Sequence, residues 1–212
     1  MDPLLLVKAM RAIMPEITLN EFQSRLAIVS RSVSKQVMQY LLDNGIGRTS
    51  QNIYMFSNSD RIKLAILALK NGNDVELISK ILTWRDFEVL TSEILNLSGY
   101  KTECNVRFNK PRRIEIDVVG TNNYSLAILI DCKHWQRNDL KSTSSYAIKQ
   151  IHRAYVFMLN RKTVSSSIPV LLTLYPMAIK LVEEIPVVPI SNFMSFVNDL
   201  PMYLDKIKLV SR

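Results

Sequence analysis

Four residues in this 212-residue chain have types and spacing suited to phosphodiester chemistry: Glu88, Asp117, Asp131 and Lys133. The segments "RRIEIDVVG" (112–120) and "SLAILIDCKHW" (125–135) are apolar runs that end in charge. Side chains alternate along a strand, so Asp131 and Lys133 share one face while Cys132 takes the other, and Glu115 and Asp117 likewise share a face. The intervening "TNNY" is turn-forming, which predicts an antiparallel hairpin that brings Asp117 beside Asp131. A third carboxylate, Glu88, lies on a predicted helix ahead of the strands. This grouping suits Mg²⁺, a hard cation held by one or two carboxylates together with waters and phosphate oxygens. Such an ion acidifies water and neutralises charge on a phosphorane-like transition state, with Lys133 placed to orient or activate the water.

The order of these residues resembles the PD-(D/E)xK nuclease superfamily, and within it the Mrr-type restriction endonucleases. The resemblance runs from "LTWRDFEVLTSEILNLSGY" (82–100) to "VVPISNFMSFVNDL" near the end. It implies catalytic roles for Glu88, Asp117, Asp131 and Lys133. The candidate metal ligands are Glu88, Asp117, Asp131 and Cys132, with Mg²⁺ as cofactor and Mn²⁺ as a substitute. Two departures from the pattern are Asp131 where Glu is more common and Ile116 where a proline often precedes the acid. Tyr146 and Gln150, four apart on the next helix, resemble an accessory polar pair that some members aim at the site.

Plainer readings exist. Asp131 and Lys133 alone would be an ordinary same-face ion pair, worth about 0.5 kcal/mol if exposed. Having Glu88 and Asp117 in register turns the balance toward the nuclease site. Glu88 adjoins the apolar series Phe87, Leu90, Ile94 and Leu97, the expected buried face of its helix, beside which a solvated Glu would be unremarkable. Glu115 competes with Asp117 and ranks lower because Asp117 is closer to the strand end.

Composition, at 48% apolar and 22% charged residues, is that of an ordinary globular protein. Cys104 and Cys132 both fall in predicted strands and read as reduced core thiols. His134 and His152 are isolated, so neither zinc nor histidine chemistry is suggested. "PLLLV" soon meets Lys8 and Arg11, too short an apolar run for a signal peptide. The uncharged stretch 164–179 is too short and broken to span a bilayer. A cytoplasmic protein without a membrane partner is expected.

A net charge of +8 and a pI near 9.5 favour anionic partners. Residues 1–82 hold ten Lys/Arg against seven Asp/Glu, so the excess is shared by both halves. Arg107, Lys110, Arg112 and Arg113 precede the Asp117 strand and could meet phosphates flanking a cut, or form a plain solvated charge run.

The first 72 residues read as a winged helix-turn-helix. Helical patterning covers 4–13, 19–26 and 32–42, the last stopped by "DNGIG". "IGRTSQNIYMF" (46–56) then reads as a wing hairpin, and another helix covers 61–70. Val33, Val37, Leu41 and Leu42 are expected in the core, turning Ser34, Lys35, Gln36 and Gln39 toward a major groove, with Arg48 and Gln51 on the wing. Winged helices also mediate protein contacts, so duplex DNA is the preferred partner rather than the sole one.

A connecting helix is expected over 73–82 and a nuclease-like domain over 83–212, with later helices at 141–160 and 192–200 and strands at 166–176 and 185–190. The expected class is therefore α/β: a winged helix followed by a restriction-endonuclease-like mixed central sheet flanked by helices. The function this implies is a metal-dependent DNA endonuclease of restriction or modification-dependent type. The alternatives are a branched-DNA resolvase and a non-catalytic DNA-binding regulator on a nuclease scaffold. Coordinated double-strand cuts would require a homodimer.

Overall fold

The computed structural model describes residues 2–111, 113–133, 135 and 139–212, in two compact units, Met1–Thr83 and Trp84–Arg212. The first unit runs α1 (Pro3–Ala12), β1 (Glu16–Thr18), α2 (Leu19–Leu26), α3 (Arg31–Asp43), β2 (Arg48–Ser50), β3 (Ile53–Met55), α4 (Asn58–Lys70) and α5 (Val75–Ser79). Its helices begin where side chains satisfy free amide groups. Asp2 accepts from the Leu4 N–H, Thr18 and Glu21 form a reciprocal capping box, and Ser30 accepts from Val33. The three short strands pair antiparallel in the order β1-β3-β2. Gln51 and Asn52, with φ of 48° and 65°, make the left-handed two-residue turn that matches the twist of a tight hairpin.

The buried stripe of α3 is Ser34, Val37, Met38 and Leu41, while Val33 and Leu42 are only half-buried. This corrects the expectation for Ser34, which is fully buried and does not face outward. Its hydroxyl donates to the Ser30 carbonyl, so a small polar side chain sits inside the three-and-four stripe without an unmet hydrogen bond.

The second unit contains α6 (Trp84–Leu97), β4 (Lys101–Phe108), β5 (Ile114–Thr121), β6 (Leu126–Lys133), α7 (Leu140–Asn160), β7 (Ser166–Thr173), β8 (Leu181–Val182), β9 (Ile185–Pro189), α8 (Ile190–Asn198) and β10 (Val210–Ser211). Its mixed seven-stranded sheet has the order β4-β5-β6-β7-β9-β8, with β10 added beside β7. β4, β5 and β6 form an antiparallel meander, and α7 makes the crossover that sets β7 parallel to β6.

β6 is buried along its length except at its two ends, as expected of a central strand covered on both faces. Ala127 and Leu129 pack with Ala154 and Phe157 of α7, whereas Cys132 lies against Thr91 of α6. The two helices thus cover opposite faces. Gly120 permits close approach of α6, since a Cβ there would lie 2.8 Å from Leu95 Cδ1. The buried face of α6 uses Leu95, and Leu97 is 49% exposed, contrary to the simple apolar series. Cys104 is exposed, so only Cys132 is a core thiol.

Candidate active site

Extended by one residue beyond Val118↔Ile130, the β5–β6 register sets Asp117 against Asp131. The ladder stops there. The Cys132 N–H donates instead to Asp117 Oδ2 at 2.8 Å, a side-chain carboxylate taking the place of a strand carbonyl. Beyond this point β6 continues to pair with β7, as far as Lys133↔Thr173. The open end of the β5–β6 hairpin is therefore where Asp117, Asp131 and Lys133 meet.

β5 is irregular at the same place. Ile116 and Val119 share the core beneath α7 although strict alternation would put them on opposite faces. Across from Asp117, the β4 residue Asn105 has a left-handed φ of 54°. The side chains of Trp84 and Asn105 favour the ionised form of Glu88, which is buried on α6. Asn tolerates this backbone region better than most residues, which is the one sequence signal that could have pointed to it.

Asp131 is 2% exposed and contacts two cations: its Oδ1 accepts from Arg153 Nη1 at 2.8 Å, and its Oδ2 lies 2.7 Å from Lys133 Nζ. The Lys133 contact is an ion pair without hydrogen-bond alignment, because Oδ2 is buried with no hydrogen-bond partner. Lys133 Nζ also sits 4.9 Å from the centroid of the Tyr146 ring, and Tyr146 packs against Trp135. Gln150 is fully buried. Its amide donates to the Leu129 carbonyl and its Oε1 accepts from Arg153. Tyr146 and Gln150 of α7 thus both reach the acidic cluster, Tyr146 through Lys133 and Gln150 through Arg153. Arg153 was missed; it follows Gln150 by three residues and so shares its helix face.

The electrostatics are those of crowded carboxylates. Burial pushes the Asp117 carboxyl up to about 6, and the charges of Asp131 and Glu88 add to the effect, against the Cys132 N–H and Lys133. Burial likewise raises Glu88, with Trp84 and Asn105 opposing it. Glu115 differs: the Arg107 guanidinium, 3.0 Å away, holds it below the usual carboxylate range. Glu115 is therefore engaged in a partly exposed pair, and Asp117 in the buried cluster.

A hard cation fits this donor set in its chemistry: oxygen ligands, two carboxyls that resist ionisation, and Asp131 Oδ2, which is ion-paired with Lys133 but has no hydrogen-bond partner. Among the described residues no three His, Cys, Asp or Glu groups already stand at positions that would hold a metal. The Cys132 thiol faces Thr91 at 3.8 Å and is raised well above its ordinary value by burial, so only its main-chain carbonyl remains as a ligand atom.

Of the basic candidates, Arg107 is paired with Glu115, Lys110 and Arg113 are exposed, and Arg112 lies outside the described residues. In the first unit Lys35, Gln36, Gln39, Arg48 and Gln51 are exposed, and Gln39 donates to Asp43.

Residues 79–167 match a family model, Mrr_cat, described as restriction endonuclease. The matched segment contains Glu88, Asp117, Asp131, Lys133, Tyr146 and Gln150, together with Arg153. The chain thus carries a restriction endonuclease-like nuclease domain. That segment is similar to Mrr-type restriction endonuclease domains, in keeping with the mixed sheet and its flanking helices. No curated protein matches the chain.

Proposed function

We propose that this chain is a metal-dependent DNA endonuclease, of restriction or modification-dependent type, with Glu88, Asp117, Asp131 and Lys133 at its catalytic centre. The observation that carries the proposal is the open end of the β5–β6 hairpin, where Asp117 is raised to about 6 among acidic neighbours beside Lys133. Glu88, Asp117, Asp131 and the Cys132 carbonyl would hold Mg²⁺, or Mn²⁺ in its place. When bound, such an ion supplies charge neutralisation at the scissile phosphate and acidifies water. Lys133, steadied by Asp131 and the face of Tyr146, presents an ammonium that orients the attacking water or a phosphate oxygen. Gln150 fixes the helix side of the cluster through its bond to Leu129.

The helix, strand, helix, helix, hairpin order of the first unit supports reading it as a winged helix-turn-helix. Its exposed Lys35, Gln36, Gln39, Arg48 and Gln51 would grip duplex DNA, with lysine and arginine on phosphates and glutamine at base edges. Exposed Lys110 and Arg113 would meet phosphates near the cut. A homodimer would serve double-strand cleavage, and the cytoplasm is the proposed location. No helix among the described residues is long and apolar enough to cross a membrane.

One observation favours a second reading, a DNA-binding regulator on a nuclease scaffold: Asp131 is already engaged by two cations. The test is Mg²⁺- and Mn²⁺-dependent cleavage of plain duplex, methylated duplex, single-stranded and four-way-junction DNA. Cutting of linear duplex, plain or only when methylated, supports the proposal. A preference for junctions identifies a resolvase, and tight duplex binding without cutting identifies the regulator.

A further inference from the structure

We propose that Arg153 is a latch on the acidic site: its guanidinium holds Asp131 where a divalent cation would otherwise draw on it, and must release that carboxylate for an ion to bind. This rests on reading the acidic cluster as a metal site.

The geometry is that of a built contact rather than a chance surface pair. Asp131 is 2% exposed, and Arg153 Nη1 reaches its Oδ1 at 2.8 Å. The same Nη1 donates to Gln150 Oε1 at 3.0 Å. Gln150 cannot swing freely, because it is fully buried and its amide is committed to the Leu129 carbonyl at 2.9 Å. The guanidinium is therefore held over Asp131 by a neighbour that is itself held.

Charge balance gives the latch its direction. Three carboxylates, Glu88, Asp117 and Asp131, already face two cations, Lys133 and Arg153, so a divalent ion added with both cations in place would make the cluster net positive. Release of Arg153 restores the balance. Lys133 is the less suited of the two to leave, since its ammonium also rests over the Tyr146 ring and its side chain is only 16% exposed. Arg153 is 25% exposed and has a second acid within its field: it helps to hold the Glu115 carboxyl below its ordinary range. Arg153 is thus the more exposed of the two cations that hold Asp131.

The test is the affinity of the full chain for Mn²⁺ alone, measured by calorimetry in wild type, R153Q, R153K and D117N. The latch predicts Mn²⁺ binding tighter by on the order of tenfold or more in R153Q, the size expected when a charge-assisted bond stops competing. R153K, which keeps the charge but loses the planar fork, should fall between wild type and R153Q. Since R153K is the milder change, it decides the matter if R153Q does not fold. Unchanged or weaker Mn²⁺ binding in both variants, with wild-type binding abolished by D117N, overturns the latch and leaves the metal site standing; a weaker affinity would mean that Arg153 positions Asp131 for the ion. No saturable binding by any of the four proteins overturns the metal-site reading, and the latch with it.

Discussion

The Cys132 amide donates to Asp117 Oδ2 at 2.8 Å at the point where the β5–β6 ladder ends. One carboxylate oxygen of Asp117 is thus spent on the backbone, which fixes the side chain at the mouth of the hairpin. The other oxygen remains available for chemistry. The same bond lets the two strands separate without leaving a buried N–H unpaired.

Asp117→Asn should stabilise the metal-free protein while removing cleavage. Asparagine keeps an acceptor for the Cys132 N–H and removes the charge that burial and Asp131 oppose. A carboxyl raised from 3.8 to about 6 in the fold destabilises it when ionised. The sign is opposite to that of a salt-bridged acid: the cost is absent below pH 3.8, grows between the two values and is complete above about 6. The expected gain is on the order of 2 kcal/mol at pH 7.5, shrinking toward pH 4, in urea melts with a chelator present. A loss of stability at pH 7.5 would mean that the Asp117 charge is already compensated.

Asp60 should behave in the usual way. Burial works against its ionised form, but bonds from the Ser57 hydroxyl and amide and from Lys63 outweigh it and hold the carboxyl at about 2. The stability it contributes is fully present above 3.8 and is lost as pH falls through about 2. Asp60→Asn should therefore cost about 2 kcal/mol at pH 7, with the gap to wild type closing as pH falls below 4. Parallel pH-dependent denaturation curves for the two proteins would contradict this.

In the first unit, the double variant K35A/R48A should weaken duplex binding uniformly across sequences and reduce the slope of log affinity against log salt by roughly 2. Ser34→Ala should leave DNA affinity unchanged, because Ser34 is buried and bonded to the Ser30 carbonyl. Fluorescence anisotropy at several salt concentrations separates these outcomes. A large loss of affinity in Ser34→Ala would mean that α3 meets DNA by another face.

The turn leading into the hairpin gives a packing test. Gly45 and Gly47 both have positive φ, but a Cβ at Gly45 meets open space, whereas at Gly47 it would lie 2.5 Å from the Phe56 ring. Gly45→Ala should cost about 1–2 kcal/mol from backbone strain alone. Gly47→Ala should cost a further ~1–3 kcal/mol for the collision, read from thermal unfolding of the two variants. Equal losses would show that Phe56 turns aside freely.

What was legible in the chain depended on signals that are local. Apolar runs ending in charge located β5, β6 and the positions of Asp117, Asp131 and Lys133, and the helix patterns placed α2 and α7 to within a residue or two. The two-residue strands β8 and β10 carry too little pattern to be seen. Ser34 was misplaced because a serine on a helix reads as polar, although its hydroxyl bonds back to its own turn. Arg153 and Asn105 were missed for a different reason. Their importance comes from what the fold brings to them, Asp131 for one and Glu88 for the other, and neither partner is near in sequence.

The most direct test is single-turnover cleavage of duplex DNA with Mn²⁺ by wild type and Lys133→Ala, with DNA affinity measured on the same samples. The account predicts cutting by wild type, loss of at least about a hundredfold in the variant, in the range expected when one electrostatic group at a reacting centre is removed, and nearly equal DNA affinity. Equal cutting by the two proteins would contradict the assignment of this cluster as the active site.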